Sequence, residues 1–249
     1  MLACAGYLVL NYRIHSMKYC LPCLTVAVLA GSLQFVAAGE ITGKVTLKGT
    51  PKPEIPIDLG PSCGPLNPKK VSTRHFVVGE GGGLANVFVY LKDAKATPAT
   101  GEGPTLDQAG CMYEPYVFGV VTGQKFKIKN SDPTLHNVHA TPKINKEFNF
   151  AQTSKDQVNE KSFDQAEVLV RIKCDVHPWM FSYAGVVDHP YFAITDKDGN
   201  YKISGVPDGK YTVVAYHLKA HGANAGLTQA LDVKGTAKQD FTVDAPAGP

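Results

Sequence analysis

The sequence predicts an all-β protein made of two sandwiches, and three observations carry that prediction. Short alternations of apolar and polar residues recur along nearly the whole chain after residue 39, the period of a strand with one buried face. No window of a dozen residues repeats apolar side chains at i, i+3 and i+4, as an amphipathic helix requires. The 24 glycines and 17 prolines, with turn pairs such as Thr122-Gly123 and Asp198-Gly199, punctuate the runs. At 249 residues the chain can bury one large or two modest cores.

The N-terminus reads as an export signal. Leu21 to Leu33 is almost wholly apolar, Lys18 precedes it, and Val36-Ala37-Ala38 offers a small-residue cleavage pattern. The run is short for a membrane span, although an uncleaved anchor is the alternative. Arg13 and an extra apolar run precede Met17, so Met17 is the expected start. Residues 1–38 are then the signal peptide. The mature chain is expected to be exported, periplasmic or extracellular, with no stable membrane insertion.

Export reshapes the cysteine count. Of six cysteines, Cys4, Cys20 and Cys23 leave with the signal, while Cys63, Cys111 and Cys174 stay. An exported chain with an odd count should pair two and explain the third. Cys174 lies in a ligand-like run described below, so Cys63 and Cys111 are the expected disulfide; three free, buried thiols are the other reading. The net charge is +3, no block of Lys or Arg stands out, and cleavage removes Arg13 and Lys18. No nucleic-acid partner is expected.

The strands follow in order. Glu40 to Leu47 alternates and leads into a Pro-rich loop. Ala85 to Leu91 is a strong strand. Tyr116 to Val121 and Gln124 to Asn130 suggest a hairpin across Thr122-Gly123. His136 to Ala140, Glu147 to Gln152 and Glu167 to Cys174 come next, and Ser154 to Gln165 reads as a loop. These complete a first module over 39–185. From 186 to 249, Tyr191 to Thr195, Tyr201 to Ile203, Lys210 to His217, Leu227 to Val233 and Gln239 to Val243 predict a second, smaller antiparallel β-sandwich.

Chemistry concentrates in Cys174-Asp175-Val176-His177-Pro178-Trp179-Met180, with His136 supplied by the upstream stretch Asn130 to Val138. A thiolate, two imidazoles and a thioether form the ligand set of a blue-copper site, a trigonal His₂Cys plane with a weak axial Met. Each residue alone would more often be structural; the combination carries the signal. Zinc has little use for Met, but His139 with His136, Cys174 and His177 would complete a zinc set. A binuclear centre would need a second Cys in the loop. One mononuclear copper site is therefore expected.

These motifs resemble the cupredoxin family of plastocyanin and azurin, with the short ligand-loop spacing of amicyanin. The resemblance implies a Greek-key sandwich, His136, Cys174 and His177 as equatorial ligands, Met180 as the axial one, and Asn137 as the residue tying the ligand loops together. It also implies a one-electron carrier serving redox protein partners. Lys173 departs from the aromatic residue that many members carry there. A second resemblance starts at Asp196-x-Asp198-Gly199-x-Tyr201 and runs through Pro207-x-Gly209-x-Tyr211. It is to the carboxypeptidase regulatory-like, transthyretin-like module, which implies scaffold rather than activity.

No enzyme is expected: a trinuclear-cluster His-Cys-His motif and a second cupredoxin repeat are both missing from the sequence. Two alternatives stay open, a copper-binding or delivery protein without fast electron transfer, and a secreted non-redox module binding carbohydrate or protein. Trp179 and Pro178 are expected either to form an apolar docking surface beside His177 or to pack in the core. His217 and His221 read as surface histidines. His189 is expected to pack the modules together, with a place near the metal as the alternative.

Overall fold

A computed structural model describes residues 39–221 and 226–246. The expected signal peptide, residues 1–38, lies outside the described residues. Among the described residues no helix is long and apolar enough to cross a membrane.

The chain opens with β1 (Gly39–Lys48), crosses the Pro-rich stretch with short helical turns at Gly60–Cys63, Gly64–Leu66 and Glu80–Gly82, and forms β2 (Phe88–Leu91). It continues through β3 (Thr105–Ala109), β4 (Met112–Glu114), β5 (Val117–Val121), β6 (Phe126–Asn130), β7 (His136–Thr141) and β8 (Phe148–Gln152). Then come β9 (Val158–Lys161), β10 (Glu167–Lys173), β11 (Phe181–Val187) and β12 (Phe192–Ile194). The last strands are β13 (Asn200–Val206), β14 (Gly209–Tyr216), β15 (Leu227–Val233), β16 (Thr236–Lys238) and β17 (Phe241–Asp244). The all-β class follows from the alternation: β7 buries His136, Val138 and Ala140 and turns the intervening residues outward.

Four sheets make two sandwiches. In the first, a five-stranded sheet ordered β5-β11-β10-β7-β8 faces a four-stranded sheet ordered β4-β3-β6-β9. Their shared core holds Leu106, Tyr113, Phe118, Phe126, Ile128, Val138, Ile172, Ala184 and Met180. In the second, β13-β1-β16, with β17 also on β1, faces β12-β2-β14-β15. Ile41, Val45, Val89, Leu91, Ile203, Val213, Val233 and Phe241 fill that core. Each fully buried Leu, Ile, Val or Phe contributes about 1.5–3 kcal/mol over leaving it in water.

Three expectations about organisation are corrected. The division at residues 185 and 186 does not match the strand pairing, because β1 pairs with β13, β16 and β17, and β2 with β12 and β14. The first sandwich is therefore an insertion between β2 and β12 of the second, and β1 joins β16 and β17 in parallel. Tyr116 to Val121 and Gln124 to Asn130 do not form a hairpin. β5 joins β11 and β6 joins β3 and β9, so the tight turn at Thr122-Gly123 carries the chain from one sheet to the other. Within the expected loop Ser154 to Gln165, Val158–Lys161 is an edge strand on β6.

Candidate metal centre

His136 is the first residue of β7, fully buried, and the turn before it is built by Asn130. The Asn130 side chain donates to the Thr134 carbonyl at 2.9 Å and accepts the Asp132 N–H at 3.0 Å, an Asx turn that aims the next strand. Cys174 directly follows β10 and is buried. Its N–H donates to the Met180 carbonyl at 3.2 Å, and the Met180 N–H donates to the His177 carbonyl at 2.9 Å. The loop from Cys174 to Met180 is thus closed on itself. Sheet geometry orients the sulfur while the closed turn orients the imidazole.

The structure brings three of the expected ligand side chains together. His136 Nδ1 and His177 Nδ1 are 3.1 Å apart, and Cys174 Sγ is 3.6 Å from His177 Nδ1. A first-row divalent ion about 2.0–2.1 Å from nitrogen and about 2.3 Å from sulfur, in a trigonal plane, needs separations of about 3.5 Å and about 3.8 Å. The donor set fits such an ion with an opening of a few tenths of an ångström. Met180 is fully buried in the same core as Cys174.

Asn137, the second residue of β7, reaches the Cys174 loop. Its side-chain carbonyl accepts the Asp175 N–H at 3.0 Å, its amide donates to Asn149 and to the Phe150 carbonyl, and its backbone N–H points at Cys174 Sγ at 3.4 Å. Cys63 and Cys111 form a buried disulfide with an S–S distance of 2.06 Å. Its sulfurs lie within 4.8 Å of a His177 ring nitrogen.

The electrostatics favour a thiolate. Burial pushes the Cys174 thiol up, but the His136 imidazole and the N–H groups of Asn137, His177 and Val176 outweigh it and hold the thiol below its ordinary value. Burial lowers His136, yet Asp132 and Cys174 reverse the sign and raise it. Burial and the neighbouring His136 both lower His177.

Other expected participants stand apart. His139 is three residues beyond His136 on β7 and so faces the opposite side. Its Nδ1 meets Asp175 at 2.8 Å and its Nε2 meets Glu147 at 2.7 Å, so neither nitrogen is free for the zinc set. His189 is buried and bonds the Leu91 carbonyl at 2.7 Å, inside the second sandwich. His217 is buried against Phe76 rather than on the surface, so the surface reading is corrected; the His221 side chain lies outside the described residues. Trp179 packs on His177 at 5.4 Å between ring centroids, and its indole N–H donates to the Cys111 carbonyl at 3.0 Å.

Sequence reasoning missed Asp132. Its carboxylate accepts the Gly110 N–H at 2.7 Å and the Cys111 N–H at 2.8 Å, and lies 2.9 Å from His136 Nε2. The only available signal was its position four residues before His136 in a turn, where Asp is ordinary.

No protein-family model matches the chain, and no curated protein does. Solved structures align to part of it. A methionine-to-alanine mutant of amicyanin in the Cu(I) form is 20% identical over 39% of this chain and 97% of that one, with a TM-score of 0.31. A purple cupredoxin from Nitrosopumilus maritimus is 20% identical over 34% of this chain and 99% of its own, with a TM-score of 0.29. A copper-containing nitrite reductase from Thermus scotoductus SA-01 is 17% identical over 39% of this chain and 25% of its own, with a TM-score of 0.31. At these values the functional reading rests on the geometry of the centre itself.

Proposed function

We propose that this chain is an exported mononuclear copper protein of the blue-copper type, passing electrons one at a time to redox protein partners. The observation that carries the reading is the convergence of His136 Nδ1, His177 Nδ1 and Cys174 Sγ in a buried pocket. A soft thiolate beside two imidazoles favours copper over magnesium, calcium or manganese.

Bound there, copper would supply a Cu(I)/Cu(II) couple. The protein's part is to hold its ligands still and keep water out. The Asn137 contacts, the closed Cys174 to Met180 loop and the disulfide brace all restrict movement. His177 is the ligand nearest solvent, 7% exposed, beside exposed Val176 and Pro178. That apolar rim is the proposed docking face, and no bond is made or broken in substrate.

Adding Cu(II) to the purified mature chain tests the reading. An intense visible thiolate-to-copper band is expected, abolished by Cys174→Ser. A colourless product holding zinc would sink it. Slow electron self-exchange in a coloured protein would favour the holding or delivery alternative.

A further inference from the structure

Resting on that copper reading, we infer that Asp132 and the Gly110-Cys111 turn form one positioning device that dictates which nitrogen of His136 faces the metal. The device starts in the hairpin of β3 and β4. Ala109 pairs with Met112, leaving Gly110 and Cys111 as a two-residue turn. Both have positive φ, 62° and 53°, the backbone of a type I′ turn. A non-glycine residue in the second place is uncommon, and here the disulfide to Cys63 holds it.

The turn delivers two adjacent backbone N–H groups to one carboxylate. Gly110 N–H meets Asp132 Oδ1 at 2.7 Å, and Cys111 N–H meets Oδ2 at 2.8 Å. Oδ2 also lies 2.9 Å from His136 Nε2. Asp132 is 5% exposed and His136 fully buried, so water does not compete for these bonds. An ionised carboxylate only accepts. Three donors therefore meet it, and the His136 nitrogen facing it carries the hydrogen. The lone pair is left on Nδ1, the atom that faces His177.

The same turn reaches the second ligand loop. The Cys111 carbonyl accepts the indole N–H of Trp179, two residues after His177. One hairpin turn from the opposite sheet thus braces the surroundings of both imidazoles. Outer carboxylates of this kind raise the donor strength of the imidazole they hold, which favours the more highly charged metal state.

Asp132→Asn is the direct test. Asn offers one carbonyl oxygen and an NH₂ group, so one of the three donors must meet an amide N–H. The expected result is a loss of Cu(II) affinity of about 10- to 100-fold, with a reduction potential above that of wild type. Affinity and potential both unchanged would overturn the inference while leaving the copper reading intact. A wild-type protein that takes up no copper would remove the copper reading instead. Nitrogen-15 NMR of metal-free wild type, above the titration range of histidine, then decides the inference alone. A hydrogen on His136 Nε2 supports it, and one on Nδ1 overturns it.

Should Asp132→Asn fail to fold, His136→Gly refilled with small heterocycles tests the same contact. Imidazole, which has an N–H to give Asp132, is expected to restore the visible band. 1-Methylimidazole, which has none, is expected to restore it at least tenfold less effectively. Equal restoration by both would overturn the inference.

Discussion

Asn137 touches Cys174 through its backbone N–H, 3.4 Å from the sulfur, and reaches past it to the next residue's N–H with its side chain, 3.0 Å away. One residue of β7 therefore fixes both the charge environment of the thiolate and the first peptide of the ligand loop. The cross-link works because β7 and β10 are antiparallel neighbours, with His139 opposite Lys173.

Asn137→Ala keeps the N–H toward sulfur but removes the acceptor for Asp175 and the amide contacts to Asn149 and Phe150. A stability loss of about 1–2 kcal/mol is expected, the net worth of one or two hydrogen bonds. Urea denaturation of the metal-free chain measures it. A midpoint equal to wild type would show the loop is held without Asn137.

The Cys63–Cys111 disulfide links residues 48 apart in sequence. Cys63→Ser is expected to lower stability by about 2–5 kcal/mol. His136, Cys174 and His177 are all unchanged in that variant, so the visible copper band should persist. Thermal unfolding and absorption spectra on the same sample separate the two effects.

What was legible in the sequence is what lies close along the chain. Cys174, His177 and Met180 share one loop, and the alternation of His136, Val138 and Ala140 exposes β7 directly. The partners of β1 were not legible, because β16 and β17 lie nearly 200 residues away and strand pairing leaves no local signature. The Thr122-Gly123 turn was recognised, but turn chemistry is the same whether the flanking strands pair or cross between sheets. Parity along β7 already separates His139 from His136, so the zinc alternative was weaker in the sequence than residue types alone suggested. Asp132 was hidden because its role depends on a hairpin turn from another sheet.

Glu167 sets an acid limit on stability. Burial pushes its carboxyl up, but the N–H groups of Lys143, Ile144 and Asn145 and the Asn145 side chain outweigh this and hold it below its ordinary value of 4.5. The unfolded chain then takes up this proton at higher pH than the folded one. The contribution is complete above about pH 5 and is lost as pH falls through the lower folded value. Glu167→Gln is expected to be less stable than wild type at pH 7, with the gap closing on acidification. A gap that stays constant from pH 7 to pH 3 would refute this.

Gly119 and Gly185 sit opposite each other on β5 and β11, at the face where the first sandwich meets the second. A Cβ on Gly185 would lie 2.6 Å from the Phe88 ring, and one on Gly119 would lie 2.1 Å from the Phe192 ring. Phe88 is fully buried, belongs to β2 and packs against Phe192 at 5.7 Å between centroids. The paired glycines thus form a shallow seat for two aromatic rings. Gly185→Ala forces the Phe88 ring or the β11 backbone to move, so overpacking of about 1–3 kcal/mol is expected. Phe88→Leu alone removes buried ring area and should also destabilise. The double variant should be more stable than the sum of the single effects implies, because the smaller side chain makes room for the added methyl. A double-mutant cycle by denaturant unfolding reads the coupling directly. Strict additivity would show that a methyl at residue 185 does not press on the Phe88 ring.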